Sequence, residues 1–374
     1  MATVQIADKS TLDNVATNVT YIKNNMPSGG GGTPKIAIIN TDSQYTGVTF
    51  TVSNEDFGFS QSVTMSGTKA EVEVPYLGEY TVSAPITGSF LVNRSVNVTT
   101  AVTIIYDPDF VEIKSFGSCT DAELEQILNA HYADAIDISD YWAVGDTRTI
   151  HLDAMQAPNP NSGNTWLAQD IVVTIVAINH TDLATPINGH TKAAITVQTR
   201  EVLSGISAGT TGTIHVNGDS SKDTTFTKWS NLYMRTYLND KVWEAFPSTF
   251  KAAIKPSSHY RHTNYNTSTS EQVTDNLFLP SYPEIYGTAS YSNYVATSPV
   301  EGTQFSYYQT STNRVKYPNN NGVAGNSATY WWMGSASSFY SSTNGYYWCY
   351  VGTDGSTANN RGALASGLAP AFAM

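Results

Sequence analysis

Few residues in this chain have the types and spacing that chemistry requires. His259 and His262 stand three apart, a spacing that can offer two imidazoles to one metal ion. No acidic residue lies close to them in sequence, and their polar surroundings read as a loop. His151 with Asp153, and His180 with Asp182, each put an imidazole two residues from a carboxylate. Both pairs fall at the end of an apolar run, where a turn or a half-buried histidine is a simpler reading than a catalytic pair. Asp137 with Asp140, and Asp354 beside Gly355, read first as turn residues. Calcium at Asp107 and Asp109 or at Asp354 stays open, although no EF-hand spacing accompanies them. Cys119 and Cys349 are far apart and carry no Cys-x-x-Cys spacing, so one disulfide or two isolated buried thiols both fit. Paired carboxylates, a phosphate-cradling glycine loop, Gly-x-Ser-x-Gly and His-Glu-x-x-His are absent. The expectation is a protein that is not an enzyme, with no catalytic residue, no resident metal and no cofactor.

The elements that would position any site follow from periodicity. Leu12, Val15, Val19, Ile22 and Met26 form a 3-4-3-4 seam, with Ser10 and Asp13 as a capping pair. The seam fits either a short coiled coil, which predicts a homotrimer, or an amphipathic helix docked elsewhere. Pro27 ends it, and Ser28 with the four following glycines is a flexible linker. From Pro34 to about Asp109 the period becomes two, in Lys35–Ile39, Val48–Val52, Gln61–Met65, Ala70–Val74, Glu79–Ser83 and Ala101–Tyr106. Short strands at that spacing predict an antiparallel sandwich of immunoglobulin-like type. Beyond the Asp107-Pro108-Asp109 boundary, Thr120 and Glu123 make a capping box for a helix burying Leu124, Ile127, Leu128 and His131. Strands are expected at Thr147–Leu152, Asp170–Ile178 and Lys192–Gln198, and helix at about Trp229–Lys255 with a break at Pro247. The expected layout is residues 1–33 as helix and linker, 34–110 as the sandwich, and 111–374 as a third domain.

Charge narrows the partners. The net charge is −12 and no basic cluster exists, which argues against nucleic acid. No apolar run is long enough to span a bilayer, so membrane insertion is not expected, and the first residues do not read as a secretory signal. Charged residues are only 13% of the chain, and Ser, Thr, Asn and Gly replace them, a balance suited to β-rich surface proteins. The chain's end is the extreme case. From Asn326 to Met374 the charged residues are Asp354 and Arg361, while nine aromatics crowd into Tyr330–Tyr350. Tyr and Trp supply rigid contact area, and Ser, Gly and Asn supply adaptable hydrogen bonding, as in binding loops. A core hairpin with a polar loop would use the same residues.

Several segments carry a resemblance. Asp140–Met155, Gln169–Leu183, Asn188–Gln198, Met234–Pro256, Asp275–Gly287, Glu301–Tyr308 and the terminal Tyr330–Phe372 motifs follow, in order, a bacterial and phage domain family. That family resembles the C-type lectin fold in its formylglycine-generating-type variant, and its members serve as variable proteins of diversity-generating retroelements. The terminal motif departs from it at Met333-Gly334, where the family commonly has Leu-Arg. The resemblance covers roughly Val111–Met374 and implies a C-type lectin-like domain there, so that with the helix, linker and immunoglobulin-like sandwich read from periodicity the expected chain is α+β. It implies diversified ligand-binding positions at Met333, Tyr340, Ser341, Tyr346, Tyr347, Tyr350, Asn359, Asn360, Arg361, Gly362, Leu364 and Ala365. It assigns Trp331, Trp332, Gly334, Gly367, Pro370 and Phe372 to the scaffold. The implied protein is a phage tail-associated receptor-binding protein on the virion, or on the bacterial surface if prophage-encoded. Its partners would be a host-surface protein or glycan and other phage tail proteins. A structural tail or capsid decoration protein, and an enzyme of formylglycine-generating type, are the alternatives.

Overall fold

The structure is a computed structural model that describes residues 33–39, 45–84, 89–91, 95–99, 102–106, 110–158, 164–218, 225–288, 290–362 and 364–374. The expected N-terminal helix, its trimer seam, the glycine linker and the Asp107–Asp109 boundary lie outside them. With 16% helix and 41% strand, the chain is β-rich. It divides into two compact units, the second beginning at Lys114.

In the first unit the described strands form three sheets, the smallest being the antiparallel pair Ser89–Leu91 and Phe110–Glu112. Lys35–Ile39 pairs antiparallel with Lys69–Glu73 and parallel with Val102–Tyr106. A four-stranded antiparallel sheet runs in the order Phe59–Thr64, Thr49–Asn54, Gly78–Ser83, Ser95–Val98. Ile36, Ile38 and Val72 from the first sheet and Phe50, Val52, Tyr80 and Val82 from the second share one buried cluster. The every-other-residue burial of Lys69–Glu73 and Gly78–Ser83 is the mark of one wet face and one packed face.

The second unit starts with a helix, Asp121–Tyr132. Thr120 Oγ1 accepts from Glu123 N at 3.2 Å and Glu123 Oε2 accepts from Thr120 N at 2.7 Å, so the capping box forms. Leu124, Ile127, Leu128 and His131 are buried. Tyr132 anchors the helix: its hydroxyl donates to Met374 O and accepts from Ala194 N, both at 2.9 Å. A four-stranded antiparallel sheet runs Thr147–Leu152, Gln169–Ile178, Ile195–Thr199, Ala371–Ala373, which places the last residues of the chain beside strands far upstream. Helical turns run from Tyr233 to Ala245, with a π segment at Leu238–Val242, and stop before Pro247.

Two further sheets carry the sites. One runs His190–Lys192, Asp182–Ile187, Ser257–His262, Ser270–Asp275. The other runs Thr213–Ile214, Ser366–Gly367, Trp331–Ser341, Gly345–Val351, Thr357–Arg361. Tyr282, Tyr286, Phe305, Tyr308, Trp331, Met333, Cys349 and Val351 pack into one core cluster.

Candidate functional site

The antiparallel hairpin Trp331–Ser341 and Gly345–Val351 frames the chain's aromatic end. Its first strand breaks register twice, between Trp332 and Ala336 and between Ala336 and Tyr340. Bulges of this kind upset the simple in–out alternation, and every residue from Trp331 to Ser337 is buried. The indoles of Trp331 and Trp332 donate to Arg314 O at 3.0 Å and Ile214 O at 2.8 Å. At Gly334 a Cβ would lie 2.5 Å from Leu279 O and 3.0 Å from Arg261 Nε, so only glycine fits. At Gly367 it would lie 2.8 Å from Tyr330 O. Phe372 packs edge-on against Phe246 and Phe250, and Pro370 O accepts from Thr199 N at 3.0 Å. All six of these residues are buried.

Past the bulges the hairpin turns outward. Phe339 is 42% exposed and Tyr340 41%. Two clusters form there. In the first, Tyr346 touches Tyr340 at 4.8 Å and Tyr265 at 4.6 Å between ring centroids, and Phe226 stacks on Trp348 at 5.8 Å. In the second, Phe339 meets Tyr347 edge-on at 4.7 Å. Asn344 bridges Tyr347 and Arg361, donating to Tyr347 Oη at 3.4 Å and accepting from Arg361 Nη1 at 3.2 Å. Asn359 Nδ2 donates to Ser337 Oγ at 2.9 Å, and Asn360 Oδ1 accepts from Arg361 N. Ser341 Oγ accepts from Thr343 N and Asn344 N, which shapes the turn. Leu364 and Ala365 are exposed nearby in sequence.

Two expected binding positions are corrected. Met333 is fully buried in the core cluster, because it belongs to the unbroken buried run before the bulges. Gly362 is buried too, with its N–H donated to Tyr346 O and its carbonyl accepting from Val216 N. Tyr350 is half-buried, with its ring edge-on to Tyr330 and Trp332. Phe226 and Tyr265 were not expected at all. Tyr265 had a weak signal, a tyrosine in a Thr/Asn/Ser-rich loop, and Phe226 had none.

The histidines expected in a polar loop sit instead on the strand Ser257–His262, and both are buried. Their carboxylates arrive from afar. His262 Nδ1 lies 2.9 Å from Glu301 Oε1, and Ser335 Oγ donates to Glu301 Oε2 at 2.5 Å. Arg261 Nη2 lies 3.5 Å from Glu284 Oε2, which also caps Ser281 N at 2.6 Å. Burial works against both charges of the first pair, yet the partners prevail: His262 is raised above 6.5 and Glu301 is lowered. Burial likewise opposes Glu284, but Arg261 and His259 hold it at about 2. His259, by contrast, is pushed down by burial.

The other pairs dissolve. His151 Nδ1 meets Asp170 at 2.7 Å, with both side chains more than half exposed. His180 Nε2 meets Thr303 Oγ1, while Asp182 pairs with Lys192. Asp354 Oδ1 accepts from Ser356 N and Oγ, a local turn. Cys119 and Cys349 are free and buried, and burial pushes both thiols up. A thiol held up in this way is a poor nucleophile. Among the described residues no cluster of three or more His, Cys, Asp or Glu could hold a metal, and no helix is long and apolar enough to cross a membrane.

Residues 182–374 match the model of a domain family described as a domain of unknown function, DUF6273, and this covers both clusters and the hairpin. The match spans more than half of the chain, which therefore belongs to this family. No curated protein and no solved structure matches.

Proposed function

We propose that the C-terminal unit is a recognition module, built as a C-type lectin-like variable domain, on a phage or prophage receptor-binding protein. Tyr340, Ser341, Tyr346, Tyr347, Asn359, Asn360, Arg361 and Leu364 choose the partner, a host-surface protein or glycan. The single observation carrying this reading is the turn of the hairpin from a wholly buried run, Trp331–Ser337, to the exposed Phe339 and Tyr340. A rigid root under exposed aromatics limits the ordering cost of binding, which is where affinity is otherwise lost. The N-terminal seam would attach or trimerise the chain, the sandwich would serve as an immunoglobulin-like spacer, and other tail proteins would hold it on the virion.

The test is binding of the intact chain to envelopes of host bacteria, with a Tyr346→Ala/Tyr347→Ala double variant beside it. Loss of at least about 10-fold in affinity, the equivalent of ~1.4 kcal/mol, is expected. Equal binding by a folded double variant would sink the assignment of the surface.

A further inference from the structure

The five-stranded sheet of the C-terminal unit ends on Thr357–Arg361, whose one strand neighbour among the described residues is Gly345–Val351. The pairing runs without a bulge from Tyr347 opposite Arg361 to Val351 opposite Thr357. Exposed sheet edges are usually blunted by lysine, proline, a bulge or a covering segment. This edge carries neither lysine nor proline, and each of its residues is partly exposed.

Register decides which backbone groups are free there. Gly362 N donates to Tyr346 O at 3.1 Å, and Gly352 N donates to Ser356 O at 2.8 Å. In an antiparallel ladder, residues bonded to the neighbouring strand alternate with residues whose backbone groups point away from it. Ala358 and Asn360 therefore face Gly345–Val351, while Thr357, Asn359 and Arg361 turn their N–H and C=O groups outward. Arg361 is satisfied locally, since its N donates to Asn360 Oδ1 at 3.0 Å and its O accepts from Leu364 N at 2.9 Å. Thr357 and Asn359 are not, because neither backbone makes an outward hydrogen bond among the described residues. Their N–H and C=O groups stand in a row at the two-residue repeat of a strand, ~6.6 Å. The one formal charge on this edge is Arg361, which shares a sheet face with Tyr347. Its guanidinium gives one N–H to Asn344 Oδ1 at 3.2 Å and pairs with no carboxylate among the described residues. Asp354 lies in the turn before Thr357. The strand from Thr357 to Arg361 is itself ~13 Å long, more than the ~8–10 Å over which physiological salt screens a charge.

We propose that an extended, acidic segment of a partner protein adds a strand to this sheet along Thr357–Arg361, with a carboxylate of that segment opposite Arg361. The proposal rests on the reading of this unit as a recognition module, and within that reading it chooses protein over glycan. A peptide backbone repeats its N–H and C=O groups at the spacing that Thr357 and Asn359 offer, whereas the hydroxyls of a sugar do not follow that repeat. In strand addition the main-chain bonds give affinity and the side chains give specificity. Arg361 supplies the specificity, because a guanidinium takes a carboxylate in two parallel N–H···O bonds. The chain carries a net charge of −12, so an acidic segment is favoured only where Arg361 stands, and this fixes its register.

The probe is a blocked hexapeptide of alternating threonine and valine with one central glutamate, titrated into the isotope-labelled intact chain. Saturable shifts of the Thr357 and Asn359 amide signals are expected. The same peptide with lysine in place of glutamate should bind at least about 10-fold more weakly. Asn359→Pro removes an outward N–H and leaves the bonds to Gly345–Val351 in place, so it should lose at least about 10-fold more affinity than Asn359→Ala. Should the proline variant fail to fold, Arg361→Glu carries the test, with a loss of the same size expected. Absence of saturable binding would overturn the proposal, as would equal binding of the lysine peptide, equal binding by folded Asn359→Pro and Asn359→Ala, or full binding by Arg361→Glu. Tighter binding of hexagalacturonate than of the peptide would overturn it in favour of an acidic glycan. A dimer that Asn359→Pro dissolves would overturn it in favour of a second copy of the chain. Each of these outcomes leaves the host-envelope test of Tyr346→Ala/Tyr347→Ala untouched, so the edge can fail while the aromatic surface stands.

Discussion

The aromatic hairpin and the ionic centre hang on one strand and answer opposite problems. Trp331–Ser341 sends Gly334 and Ser335 against Arg261 and Glu301 near its start, and Tyr340 out toward solvent near its end. At the first end charge has been taken out of water and must be matched atom by atom. At the second, apolar surface has been left in water and is matched by nothing except its neighbours. Buried ion pairs are weak evidence for net stability, but breaking one costs a great deal. Exposed aromatics cost little to remove and matter when something binds. The difference teaches that the same strand can hold a fixed anchor and a replaceable tip, provided that the bulges separate them.

This contrast can be broken most sharply at the anchor. Trp331→Ala should cost about 3–5 kcal/mol, the usual loss for a large buried aromatic, with Arg314 O also losing its indole donor. Chemical denaturation would measure it, and a cost below about 1 kcal/mol would mean that the root is not rigid. Glu301→Ala should cost a similar ~3–5 kcal/mol, because it strands His262 and the Ser335 hydroxyl in the interior.

The pH dependence of the anchor sharpens the comparison. His262 is raised above its ordinary 6.5, so its share of stability is complete below about 6.5 and is lost as pH rises through its folded value. Glu301 is lowered below 4.5, so its share is complete above that value and is lost as pH falls through its folded value. The penalty of His262→Gln should therefore be full near pH 6 and shrink toward pH 9. Denaturation midpoints of both proteins across that range would show it. A penalty growing with pH would mean that the histidine is neutral in the fold. Thr120→Ala, at the capping box, should cost only about 1 kcal/mol, whatever the pH above 5.

Legibility followed the same divide. Strands such as Thr147–Leu152 stood out because alternation is a local signal, and so did the capping box, whose partners are three residues apart. Trp331 and Trp332 were placed in the scaffold through the family resemblance and not through any local pattern, and both are buried. Met333 was not placed there, since a bulged strand buries consecutive residues and alternation cannot announce that. The carboxylates of the ionic centre were invisible for a different reason. Glu284 and Glu301 reach the histidines only through tertiary packing, and no spacing in sequence encodes such a meeting. Phe226 and Tyr265 joined the aromatic patch in the same way.

The smallest stability effect belongs to the tip, and it is the most informative. Tyr340 is 41% exposed, and its ring contacts are Tyr265 at 5.9 Å and Tyr346 at 4.8 Å. Tyr340→Ser should change stability by no more than about 0.5 kcal/mol, as for most surface substitutions. Its effect on host-envelope binding should be far larger, about 10-fold or ~1.4 kcal/mol, because aromatic anchors dominate interfaces. The ratio of the two losses separates a recognition tip from a structural one. A decoration protein that uses these rings for its own packing would show the reverse, with stability falling and binding unmoved. Pairing Tyr340→Ser with Trp331→Ala in one host protein would place both ends of the strand on the same scale.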